Sequence, residues 1–115
     1  MPLTKRLTAV FFKSESGNEP VREWLKSLGR PDSMLVGEDI RTVEIGWPLG
    51  MPVCRPLLKG LYEVRSSLPG NRIARVVFCI DNGRMYLLHG FIKKTQATPQ
   101  TELDLALKRK RALGV

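Results

Sequence analysis

Arg72-Ile-Ala-Arg-Val-Val-Phe-Cys-Ile-Asp-Asn-Gly-Arg-Met-Tyr-Leu-Leu-His-Gly-Phe-Ile-Lys93 is the stretch that decides the fold. Two runs rich in β-branched and aromatic residues flank Asn82-Gly83. That dipeptide suits a two-residue turn in which both central residues take positive φ. The stretch therefore reads as a β-hairpin, with Asp81 opposite Arg84. An unbroken ladder counted back from that pair places Val76 opposite His89, Arg75 opposite Gly90 and Arg72 opposite Lys93. Alternation puts Ile73, Arg75, Val77, Tyr86, Leu88, Gly90, Ile92 and Lys94 on one face. The other face takes Arg72, Ala74, Val76, Phe78, Met85, Leu87, His89, Phe91 and Lys93. Both faces are apolar near the turn, so both should be covered there.

Working outward, Leu57 to Leu68 reads as the preceding strand. Leu68-Pro69-Gly70-Asn71 is a turn with Pro at i+1 and Gly at i+2, which suits type II. On the other side, Thr98-Pro99 provides an N-cap and a proline for the first helical turn. The helix that follows carries Leu103, Ala106 and Leu107, and it ends in Lys108-Arg-Lys-Arg111, where positive charge favours a helix C-terminus. Near the start, Arg6 to Lys13 reads as a strand and Ser14 to Asn18 as a turn. Pro20 opens a helix in which Val21, Trp24, Leu25 and Leu28 form one apolar stripe. Gly29 stops it. Pro31-Asp32 opens a second helix, closed by Gly46-Trp47-Pro48. With two prolines, the segment Gly50 to Pro56 is not expected to form a regular element. The expected order is β-α-α-β-β-β-α, an α+β domain over residues 1–115 with a small, mainly antiparallel sheet packed against helices.

At 115 residues the chain is sized for one domain, and 43 % apolar with 26 % charged residues is ordinary for a globular one. No apolar run reaches the length of a membrane span, and the first residues lack a secretory leader's apolar core. One histidine and two cysteines without a Cys-x-x-Cys pair argue against a structural metal or a disulfide framework. A reduced, cytoplasmic protein with no cofactor and no membrane partner is expected. The net charge of +8 is unevenly spread. Ser14 to Gly50 holds seven acids and four bases, whereas Lys59 to Lys94 holds seven bases and two acids. The basic half would attract an anion, and RNA or DNA is the sharp reading against a merely solubilising surface.

Arg75 is the informative position, because it interrupts an apolar strand where an unpaired guanidinium would be costly. Either it is buried against Glu63 or another acid, or it is a preorganised phosphate binder with room to extend past Gly90. Arg65 pairs with Ala74 if the Pro69-Gly70 loop has four residues, and with Arg75 if it has one more. His89 is either a core histidine or, as a group that titrates near neutrality, a catalytic one. Lys93 and Lys94 close the hairpin, with at least one solvated. Cys54 and Cys79 read as packing.

Gly60-Leu-Tyr-Glu-Val-Arg65, Arg75-Val-Val-Phe78 and Leu87-Leu-His-Gly-Phe-Ile-Lys-Lys-Thr-Gln-Ala-Thr-Pro99 resemble the HigB-like, phage-derived branch of the RelE/ParE toxin superfamily. The resemblance covers residues 57–110. It implies a RelE-like fold and a type II toxin that acts as a metal-independent messenger RNA endoribonuclease, often on the ribosome. A HigA-like helix-turn-helix antitoxin is the implied partner. Carried over by position, Arg65 and Arg75 would bind the scissile phosphate, with Lys94 or Lys93 stabilising the transition state and His89 as the available base. Lys59, Arg72, Arg84 and Lys93 would hold flanking phosphates. Glu63 stands where the pattern often has a second base, and the family's C-terminal tyrosine or histidine has no certain counterpart. The rival readings are a gyrase-poisoning ParE-like toxin and an inactive module that binds only its antitoxin or nucleic acid.

Overall fold

A computed structural model describes residues 5–93 and 97–115. Its elements are β1 (Thr8–Phe11), α1 (Pro20–Leu28), α2 (Asp32–Gly46), β2 (Cys54–Pro56), β3 (Tyr62–Leu68), β4 (Arg72–Asp81), β5 (Arg84–Lys93) and α3 (Gln100–Leu113). The five strands form one sheet in the order β1-β5-β4-β3-β2. All neighbours are antiparallel except β1 and β5. This is an α+β architecture compatible with a RelE-like fold. No helix among the described residues is long and apolar enough to cross a membrane.

The sheet separates two apolar layers. Helices α1 and α2 supply Val21, Val36, Ile40 and Val43, which pack on Val64, Ala74, Val76, Phe78, Met85 and Leu87. Helix α3 covers the opposite face, where Ala106, Leu103 and Leu107 meet Val77, Cys79, Leu88 and Phe91. At the β1 edge, the buried Glu44 of α2 accepts the Ala9 amide at 2.7 Å, and its backbone oxygen accepts those of Arg6 and Leu7. These bonds occupy amides that an edge strand would otherwise present.

Three expectations about the sheet need correction. First, Gly50 to Pro56 does contain an element, because Cys54–Pro56 pairs with β3. Pro56 is tolerated there since β2 is an edge strand and the proline ends it. Second, β3 starts at Tyr62 rather than Leu57. Leu57 to Leu61 is instead a turn closed by Leu57 N–H to Leu61 O at 2.8 Å, with Lys59 and Gly60 at φ 60° and 77°.

Third, the hairpin ladder is not continuous. Asn82 and Gly83 have φ of 50° and 77°, as their turn requires, and Phe78 faces Leu87 as counted. A bulge then leaves Leu88 as the extra residue, so Val77 faces His89, Val76 faces Gly90, Arg75 faces Phe91 and Ile73 faces Lys93. Beyond it, β5 presents the opposite set of side chains. His89 and Phe91 join the α3 layer, while Ile92 joins the α1–α2 layer. Gly90 makes room for Trp24 of α1, not for Arg75: a Cβ there would lie 2.3 Å from Trp24 Cε3.

Candidate functional site

The loop after β3 is the one that sets Arg65 directly opposite Arg75. Both side chains therefore project to the α3 face, as does Glu63 one row further along, opposite Arg55 on β2 and Val77 on β4. Glu63 and Arg75 are completely buried. Glu63 Oε1 lies 4.0 Å from Arg65 Nε, and Oε2 accepts the Thr98 hydroxyl at 2.7 Å. Arg75 Nη1 donates to the Ala97 carbonyl at 2.9 Å, and its guanidinium lies 5.9 Å from the Phe91 ring centre. Burial lowers the Arg75 pKa. Glu63 opposes that shift, and the nearby Arg65 and Arg55 cations reinforce it. Among the described residues, three guanidinia thus gather around one carboxylate, giving the layer a formal positive excess.

The bulge brings the histidine into the same layer. His89 Nε2 lies 2.6 Å from Glu102 Oε2, and Nδ1 lies 3.4 Å from Arg109 Nη1, which also donates to the Leu88 carbonyl at 2.7 Å. With Arg109 as a donor, Nδ1 keeps its lone pair and Nε2–H donates to Glu102. The ring stacks on Phe91 at 5.5 Å. Phe91 therefore lies between the imidazole and Arg75.

The flanking cations do not converge. Arg72 is held by Asp32 at the start of α2 at 2.9 Å, and by the Pro69 carbonyl. Arg84 and Lys93 occupy opposite ends of β5, about 30 Å apart for a ten-residue strand. Lys93 is exposed at the end nearer Arg75, and Lys59 is exposed on the turn before β3. Lys94, assigned to transition-state stabilisation, lies outside the described residues. Cys54 and Cys79 are buried and unpaired with each other, and burial pushes the Cys54 thiol up to about 11.

Four participants were not foreseen: Arg55, Glu102, Arg109 and Thr98, which was expected to cap α3; Pro99 takes the N-cap position without a side-chain cap bond, and the Thr98 hydroxyl goes to Glu63 instead. The seven-residue separation of Glu102 and Arg109, two helical turns, was the available signal that both face the same strand. Arg55 carried no such signal, since its strand exists only through pairing with β3. Beside it opens a cleft of about 470 Å³, walled by Pro56, Leu57, Leu58 and Leu103 and reaching Ala97 and Thr98.

Residues 23–111 match the model of a family described as phage derived protein Gp49-like (DUF891). No curated protein matches the chain.

Proposed function

The chain belongs to the phage-derived Gp49-like family, and from that premise we propose that it is the toxin of a type II toxin–antitoxin pair, a metal-independent, ribosome-associated endoribonuclease acting on messenger RNA. The observation that carries this reading is the arginine layer, in which Arg55, Arg65 and Arg75 surround the buried carboxylate of Glu63. A layer with a built-in cationic excess is suited to a phosphodiester, and guanidinia match phosphate oxygens in pairs.

Cleavage without metal proceeds by attack of the 2′-oxygen on phosphorus. The P–O5′ bond breaks, leaving a 2′,3′-cyclic phosphate and a 5′-hydroxyl. One group must take the 2′-OH proton, another must protonate the 5′-oxygen, and cations must stabilise the charge between them. Arg65, whose side chain retains slight exposure, is the phosphate contact on this reading, completed by Lys94 or Lys93. Arg75 has no exposed surface. Its role is therefore to position Arg65 and the Ala97 backbone, not to contact substrate. His89, oriented by Glu102 through Nε2, is the base on this reading, and its Nδ1 must exchange the Arg109 donor for the substrate hydroxyl. The partner on this reading is a HigA-like helix-turn-helix antitoxin whose acidic surface complements the basic half.

Induced expression without a partner tests the proposal. Growth should stop and transcripts should acquire new 5′-hydroxyl ends, also in extracts containing chelator. Arg65→Ala should remain folded and leave transcripts intact. DNA damage with uncut transcripts would instead identify a gyrase-type poison and overturn the nuclease.

A further inference from the structure

We infer that the cleft beside Arg55 is a nucleobase subsite, which takes one unstacked base of a single-stranded RNA whose phosphate is held by the arginine layer. This rests on the nuclease reading above.

The lining is divided in the way a base is. Leu57, Leu58 and Leu103 offer apolar walls, while Arg55 and Thr98 are the polar residues of the lining. A base has apolar π-faces and a polar edge. A bare phosphate would face leucines. At about 470 Å³ the cleft falls within the size range of small-ligand sites.

Two further features tie the cleft to RNA. Thr98 lines it and donates to Glu63, whose other oxygen faces Arg65. Glu63 and Arg65, which link the cleft to the phosphate contact, are two residues apart on β3, about 7 Å along the strand. The rim is also built. Leu58 is 77 % exposed on a turn fixed by two backbone hydrogen bonds, with Lys59 beside it in a left-handed conformation at φ 60°. A non-glycine residue rarely adopts that conformation. An exposed leucine alone signifies little, but this one borders the cleft with a cation next to it.

The experiment uses the full chain and a fluorescent, fully 2′-O-methylated hexamer, which binds but lacks the attacking hydroxyl. Its affinity is compared by anisotropy, at one salt concentration, with that of the same backbone bearing abasic residues. Wild type should bind the base-bearing strand about tenfold more tightly, the scale of one stacked base. Leu58→Ala, at an exposed position that does not threaten folding, should lose most of that preference and leave the abasic affinity unchanged. Leu58→Tyr should restore it. Equal binding of the two strands by wild type would overturn the subsite while leaving phosphate binding in place. Absence of binding to either strand would overturn both readings. A full preference retained by Leu58→Ala would also overturn the subsite and assign the leucine to a protein contact.

Discussion

Replacing Gly90 by alanine tests the bulged register, on which the composition of the α3 layer depends. The added Cβ would lie 2.3, 2.6 and 2.7 Å from Cε3, Cζ3 and Cδ2 of Trp24. Carbon atoms in contact sit about 3.5–4.0 Å apart, so the indole must retreat by more than an ångström. Trp24 is half-buried, so it can retreat, but only by giving up part of its packing on the sheet. Overpacking of this kind costs about 1–3 kcal/mol. Removing a glycine from a strand returns about 0.5–1 kcal/mol. The net expectation is a loss of about 1–2 kcal/mol. In a Trp24→Ala background the clash is gone, so Gly90→Ala should become neutral or slightly stabilising. The coupling between the two sites should then be about 1–3 kcal/mol. Four proteins unfolded in urea and followed by far-ultraviolet circular dichroism complete the cycle. An equal cost of Gly90→Ala with and without the indole would refute the reasoning. It is also the result that an unbulged ladder demands, because the new methyl would then meet Arg75 on the opposite face.

Glu63→Gln should cost about 3–5 kcal/mol, because it leaves the buried guanidinia without their carboxylate. Millimolar sulfate should raise the Tm of that variant more than that of wild type, and equal increments would refute the charge excess. Alkaline stability should report the buried thiol of Cys54. With its pKa raised from an ordinary 9.0 to about 11, the folded state holds the proton more tightly than the unfolded chain. The contribution is complete below pH 9 and is lost as pH rises through 11, a loss of up to about 3 kcal/mol. Cys54→Ala should therefore show a shallower fall in urea midpoint between pH 8.5 and 11 than wild type, and parallel curves would refute it. His89→Ala removes the contacts to Glu102 and Arg109 that tie α3 to β5. Amide exchange in α3 should speed up while the centres of β4 and β5 stay protected, and unchanged α3 protection would show that the apolar layer alone holds the helix.

What was legible in the sequence was what local chemistry dictates. Asn82-Gly83 set its turn and the Val21-Trp24-Leu25-Leu28 stripe placed α1 on the sheet, whereas Thr98-Pro99 located the start of α3 only approximately, because Pro99 and not Thr98 is its N-cap. The bulge was not legible, and the reason lies in burial. Alternation reveals register only when one face is apolar and the other polar. Here Leu87 is buried under α1 and α2, and Leu88 under α3. A slip of one residue exchanges one apolar side chain for another, so the pattern does not record it. Its consequence falls at the next residue, where the chain turns polar and His89 changes sides. Glu63 shows the same limit from the opposite direction. Against the resemblance it stands as a departure, an acid at a position that often carries a base. In the folded chain it is the carboxylate that allows Arg65 and Arg75 to face each other across two strands. Two opposed guanidinia would repel if alone, so the acid is a condition of the arginine pair. A variant that restored a base at position 63 would therefore strengthen the likeness in sequence while removing the charge that holds the layer together.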